Sequence, residues 1–367
     1  MKHRNNATRF LTDRSYSFIQ RTVSLIAFLG LLSVFTVGCS WRVYSQEINP
    51  ETSFLSDSDF LLNTIVTIQI YDKQEQSLLD GCFDLIKKYE SLYSRTNPNS
   101  ELYTLNQNNK TKKASQENSF DISPELSDIL SKGLYYSNLS DGAFDITVAP
   151  ITELWNFQTE PHRLPDEDTL QKAVKLVNYK NISLKNNRII FAKPGVRIDL
   201  GAIAKGYIAD RVKDYLLANG VRSGLINLGG NILCIGTKSD GSPFQIGIQK
   251  PYADRNETIA IMEIKNRSVV SSGVYERYFV LDGVHYHHIL NPVTGYPYQN
   301  ELTSVTIISN KSVDGDGLST TCFALGLKEG IKLIESLPDT YAVFITKDNQ
   351  ITYTKGFFEA IPMKPSN

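Results

Sequence analysis

Between residues 64 and 89 the hydrophobic period of this chain switches, and a fold must accommodate both patterns side by side. Val66, Ile68 and Ile70 alternate with Thr67, Gln69 and Tyr71, the two-residue repeat of a half-buried strand over 64–71. Leu79, Phe83, Ile86 and Tyr89 then recur at steps of three and four, which places them on one face of a helix. Ser123-Pro124-Glu125 reads as a helix start, followed by the apolar stripe Leu126, Ile129, Leu130 and Leu134. Residues 201–219 are again helical in pattern, with Ile208, Val212, Tyr215 and Leu216 inward and Gly220 as the stop. Short strands are expected at 224–228, 244–249, 258–265, 278–281 and 303–309. Helices are expected at 318–327 and 329–337, before a closing hairpin of 342–346 with 351–354 that turns at Asp348-Asn349. Strands and helices that do not alternate strictly predict an α+β domain.

The chain of 367 residues, 41% hydrophobic and 21% charged, is long enough to bury one large core or two modest ones. Its 38 basic and 39 acidic residues leave a formal charge of −1, so no overall field attracts a polyanion and nucleic acid is not an expected partner. The N-terminus follows a different grammar. Lys2, Arg4, Arg9, Arg14 and Arg21 face only Asp13, and residues 22–38 are almost wholly apolar or small up to Cys39. This is a secretory signal over 1–38. With Val37 and Gly38 before Cys39 it resembles the lipobox of bacterial lipoproteins, although Thr36 stands where leucine is usual. That resemblance implies a lipidated Cys39; an uncleaved signal anchor is the alternative, and both place the domain outside the membrane. Residues 39–59 read as the lipidated N-terminus and spacer, and 60–367 as the domain. Cys82, Cys234 and Cys322 are odd in number, lack CxxC spacing and sit in apolar patterns, so they are expected as buried hydrophobes.

Several segments ask for a chemical explanation. In RIDLGAIAKGYIAD, from Arg197, a strand ending in Asp199 meets a glycine turn and a helix opening over Ala202 to Lys205. Amides at such a helix start, with a lysine beside them, suit a phosphate, although an ordinary packing corner reads the same way. NLGGN, from Asn227, adds glycines that permit close backbone approach or simply a turn. In VDGDGLSTT, from Val313, Asp316 and Thr320 are four residues apart and point to one side of a helix; carboxylate, hydroxyl and carbonyl oxygens form the hard set that magnesium prefers. An N-capping role for the same Asp or Ser remains open. Three of the five histidines fall in VHYHHILNPVTGYPY, from Val284. On a strand His285 and His287 share a face with His288 opposite, which leaves cross-strand packing, zinc binding without any HExxH motif, or a proton-accepting role as alternatives.

Six segments in order carry a resemblance: DGAFDITVAPITELWNF from Asp141, RIDLGAIAKGYIAD, NLGGN, SSGVYERYF from Ser271, HHILNPVTGYP from His287 and DGDGLSTT from Asp314. They resemble the ApbE family, the FAD:protein FMN transferases, over roughly residues 60–360. The resemblance implies a single T-fold-like domain of mixed, largely antiparallel sheets with packed helices. It also implies a Mg²⁺-dependent reaction, with Mn²⁺ as a possible substitute, in which FAD is the substrate, FMN is attached to a threonine or serine of an acceptor protein, and AMP leaves. Carried over, the metal ligands are the Ala202 carbonyl, Asp316 and Thr320. Leu62, Thr96, Ala143, Phe144, Asp145, Asp199, Lys205 and Leu290 line the FAD pocket, and His288 is the candidate base with Asp316 as its competitor. Asn63 stands where the family has glycine and Thr96 where it often has an aromatic residue. The implied acceptors are membrane redox subunits of the Rnf and Nqr type or extracellular FMN-binding domains. A pyrophosphatase that splits FAD into FMN and AMP, and a flavin-binding lipoprotein without turnover, are the competing readings.

Overall fold

A computed structural model describes residues 54–112, 118–157, 160–254 and 257–364. Its frame is an eight-stranded sheet in which every neighbouring pair is antiparallel. The strands lie side by side in chain order: Leu55–Leu61, Thr64–Ile70, Gly224–Leu228, Asn231–Ile235, Ser268–Gly273, Leu302–Ser309, Tyr341–Thr346 and Ile351–Tyr353. The sheet is therefore a meander into which other elements are inserted. The sheet begins at Leu55, so residues 55–59 of the expected spacer form an edge strand paired with Thr64–Ile70. Cys39 and the signal lie outside the described residues.

One face of the sheet carries the larger core. Val66, Ile68 and Ile70 pack there with Leu79, Cys82 and Ile86 of the Gln76–Tyr93 helix, Ile129 of the Pro124–Leu139 helix and Ile208 and Val212 of the Ala204–Ala218 helix. The opposite face of the sheet's later strands is covered by a small sheet of Phe244–Gln249, Thr258–Ile264 and Met363–Lys364. Covered on both faces, Leu302–Ser309 is buried at every position and loses the alternation that a one-sided strand shows. Cys82, Cys234 and Cys322 are buried and free, as their apolar surroundings predict. Among the described residues no helix is long and apolar enough to cross a membrane.

The predicted elements at 64–71, 224–228, 244–249, 258–265, 278–281 and 303–309 stand within a residue or so of their observed bounds. Ser123 caps the Pro124–Leu139 helix through its side chain, which accepts from the Leu126 amide. The helices expected at 318–327 and 329–337 lie end to end within Ser312–Glu335, divided at Gly326 (φ 79°, ψ 175°), and the first of them starts at Ser312 rather than at 318. The glycines of DGDG weaken helix propensity locally, which hides the start from a sequence reading. Tertiary packing overrides that penalty: a Cβ on Gly315 would stand 2.5 Å from Val270 and one on Gly317 2.5 Å from the Tyr136 ring. The helix's first amides, of Ser312 and Val313, donate to Asp210 of the Ala204–Ala218 helix, a cap supplied from far along the chain.

Candidate active site

Two helices meet almost backbone to backbone. A Cβ on Gly206 would lie 2.2 Å from the Ser312 carbonyl oxygen, so only glycine lets Ala204–Ala218 approach Ser312–Glu335 this closely. At the junction the Gly206 N–H donates to Asp316 Oδ2 (2.6 Å). Gly206 is the third residue of its helix, where an amide has no partner within the helix, and Asp316 supplies one from outside. Asp316 Oδ1 accepts from Asn231 Nδ2 (2.9 Å), and Asn231 Oδ1 accepts from Ser312 Oγ (2.7 Å). Asn231 is aimed by NLGGN: Gly229 and Gly230 both have positive φ and form the two-residue turn between Leu228 and Asn231.

Burial raises the Asp316 pKa, against the opposing pull of Lys205, the Gly206 amide and Asn231. A carboxylate so placed gains from a cation. Thr320, one turn on, lies 3.3 Å from Ser272 Oγ, which is itself 2.8 Å from Ser319 Oγ. The donors are all oxygen with a single carboxylate, a set that fits a hard cation. Among the described residues no group of three or more His, Cys, Asp or Glu is placed to hold a metal, so the zinc alternative for the histidine run finds no support.

The helix start differs from the expected phosphate cradle. The Ile203 and Ala204 amides bond the Leu200 carbonyl, Gly201 N–H donates to Asp199 and Gly206 N–H to Asp316. These donors are consumed, so positive charge at the junction comes mainly from the Lys205 side chain. Lys205 pulls down the pKa of both Asp316 and His288, which places the three groups within one another's field.

His287 and His288 take opposite tautomers. His288 Nδ1 faces the Arg277 carbonyl (3.2 Å) and must donate to it, leaving Nε2 with the lone pair. His287 does the reverse: Nε2 donates to the Tyr298 carbonyl (3.0 Å) and Nδ1 accepts from the Ile289 amide. Loss of solvent pushes both pKa values down to about 4; the Arg277 guanidinium assists at His288. Both are neutral at pH 7.

Other expected pocket residues join this centre by identifiable links. The Tyr298 hydroxyl donates to the Ala143 carbonyl and ties the DGAF segment to the histidine run. Phe144 is buried against Tyr136, whose hydroxyl donates to Asp314. The Asp145 carboxylate is taken up by Thr147 and the Tyr179 amide, so its side chain holds the loop. Asp199 receives Thr152 and pairs with Arg95 Nε at 2.9 Å. Arg95 was not among the expected site residues; it sits beside Thr96, which is exposed and bonds only locally to Ser94. Leu290 is buried with Trp155 and Phe279. Leu62 and Asn63, at φ 54° and 57°, form the two-residue turn between the first two strands, a conformation that Asn63 adopts readily in place of glycine. That turn ends at Thr64, against which a Cβ on Gly229 would fall at 2.1 Å. Asn231, Ser272 and Ser312 escaped the sequence reading because their roles arise only when distant elements meet.

The model of the ApbE family matches residues 62–345. A FAD:protein FMN transferase of Klebsiella pneumoniae is 36% identical over 298 residues, covering 81% of this chain and 90% of that protein. One from Treponema pallidum is 30% identical, covering 83% and 88%. Among solved structures, the ApbE protein of Thermotoga maritima superposes with a TM-score of 0.74 at 30% identity, over 83% of this chain and 98% of that one. The flavin transferase ApbE of Vibrio cholerae gives 0.74 at 25% identity, over 84% and 99%. Matched by the family model over residues 62–345, and by these proteins over most of its length, the chain belongs to the ApbE family.

Proposed function

We infer that this chain is a FAD:protein FMN transferase. It breaks the bond between the FMN phosphorus of FAD and the AMP oxygen, forms a phosphoester to a threonine or serine hydroxyl of an acceptor protein, and releases AMP. The observation that supports this reading, beyond family membership, is the buried Asp316 carboxylate, held by the Gly206 amide and Asn231 and within the field of Lys205.

The Ala202 carbonyl, Asp316 and Thr320 are suited to hold a divalent cation, magnesium or manganese. When bound, such an ion offsets negative charge on the diphosphate and on departing AMP. Lys205 adds fixed positive charge for the same phosphates. His288 takes the proton from the attacking hydroxyl at Nε2, because Nδ1–H is held by the Arg277 carbonyl. Its depressed pKa keeps the ring in the accepting form, and an arriving diphosphate raises its basicity by stabilising the cation that forms. Asp316 suits the role of anchor better than that of base, since both its oxygens already accept hydrogen bonds.

The acceptor is a protein outside the cytoplasm, of the membrane redox-subunit or FMN-binding-domain class, and the enzyme is tethered there through Cys39. Incubation with FAD, Mg²⁺ and such an acceptor should give a fluorescent flavin band on a denaturing gel. AMP release without labelling would replace the reading with a pyrophosphatase, and binding without turnover would replace it with a flavin carrier. Replacing Cys39 with Ala should release the protein from the membrane fraction; retention would refute lipid anchoring.

A further inference from the structure

We propose that the outer face of the two-stranded hairpin Tyr278–Leu281 and Val284–His287 is the docking surface for the polypeptide acceptor. This rests on the transferase reading above, and deepens it by naming where the second substrate is held.

The hairpin has two unlike faces. Its inner face is anchored: Phe279 stacks on Tyr286 (5.4 Å) and on His162 (4.7 Å) and lies against Trp155. Its outer face carries Tyr278, 38% exposed, Val280, 49% exposed, and the exposed His285, with His287 buried at its end. His285 stacks on Tyr278 (5.5 Å), and Tyr252, 56% exposed, stands edge-on to both. Nothing in the larger core requires aromatic and branched side chains here, and a monomer gains little from exposing them together.

Two features select an extended polypeptide as occupant. The hairpin is a sheet by itself, so among the described residues each strand pairs only with the other and its outer edge has no strand partner. Open edges and adjacent aromatic anchors are what an added strand uses for hydrogen bonds and side-chain pockets. The surface is also continuous with the reaction centre. Arg277 immediately precedes the first strand and His288 immediately follows the second, and the His288 amide and ring both bond the Arg277 carbonyl. A segment seated on the hairpin thus leads directly to the proposed base. The Asp282-Gly283 turn, at φ 51° and 78°, closes the far end without a loop to block it.

The test is steady-state transfer to a purified FMN-binding acceptor domain that the wild-type protein labels, with FAD affinity measured separately by flavin fluorescence. Tyr278→Ser combined with Val280→Ser should raise KM for the acceptor about tenfold or more, since exposed aromatic anchors dominate such surfaces. The turnover number at saturating acceptor and the FAD affinity should stay within about twofold of wild type. Tyr278→Phe, which keeps the ring, should restore most of the acceptor affinity. An unchanged acceptor KM overturns the proposal, and so does a parallel fall in FAD affinity and turnover, which marks a structural effect. If the wild-type protein binds FAD yet labels no acceptor domain, the transferase reading itself fails and takes this one with it.

Discussion

The helix junction and the histidine hairpin differ in almost every physical respect, although Lys205 acts on groups in both. At the junction, Gly206 brings two backbones together, Gly315 and Gly317 admit the Val270 and Tyr136 side chains, and each oxygen of Asp316 is claimed by a partner on a different element. The hairpin is two strands wide, anchored by one aromatic face and exposed at Tyr278, Val280 and His285 on the other. The contrast teaches a division of labour. A buried, fully partnered polar centre suits a small charged substrate, whereas an exposed platform suits a macromolecule.

The largest effect is expected from Asp316→Ala, which should reduce FMN transfer by about 10³-fold and abolish dependence on the added divalent cation, in line with losses seen when charge-stabilising groups are removed. Undiminished metal affinity, followed by titration calorimetry, would remove Asp316 from the centre. Next, His288→Ala should lower transfer about 10²-fold or more while leaving FAD binding near wild type. Equal losses in both would make His288 a binding residue and blur the division. Gly206→Ala sharpens the comparison from the side of stability: the new methyl must displace the Ser312 carbonyl, and overpacking of this kind costs about 1–3 kcal/mol in urea unfolding. An unchanged midpoint would show that the helices can part without penalty. Arg95→Gln should raise KM for FAD about two- to tenfold, because a partly exposed ion pair is worth about 1 kcal/mol and here orients Asp199. An unaltered KM would confine Arg95 to loop structure.

The smallest effect is in pH dependence, where the two regions carry opposite signs. The pKa of Asp210, which caps the long helix, is pushed by burial from the usual 3.8 to about 6, so its contribution to stability is complete below 3.8 and fades as pH rises through 6. His287 and His288, lowered from 6.5 to about 4, contribute fully above 6.5 and lose that contribution as pH falls through 4. Between pH 6.5 and 4 the histidines should destabilise the fold on acidification, and His287→Asn with His288→Asn should flatten that limb of a thermal-stability curve. A limb of unchanged slope would assign the acid sensitivity elsewhere.

Much of the fold was legible because burial leaves a local trace. Val66, Ile68 and Ile70 announce a strand with one face in the core, and Leu126, Ile129 and Leu130 a helix stripe. Leu302–Ser309 was found as a strand, but its two-sided burial was invisible until the small sheet covered its second face. The strands Leu55–Leu61 and Asn231–Ile235 were missed: the first is polar along an exposed edge, and the second reads as an extension of a glycine turn.

Sequence alone determined the chemical inventory: an acidic, hydroxyl-bearing segment, a lysine after a glycine turn, paired histidines, and their order along the chain. Only the tertiary structure decided which atoms are used. Asp316 meets the Gly206 amide across 110 residues and Asn231 across 85, and Asp210 caps the long helix's start across 102. Periodicity records whether a residue faces protein or water; it carries no information about which distant partner will take a hydrogen bond, because that depends on how closely two backbones can pack.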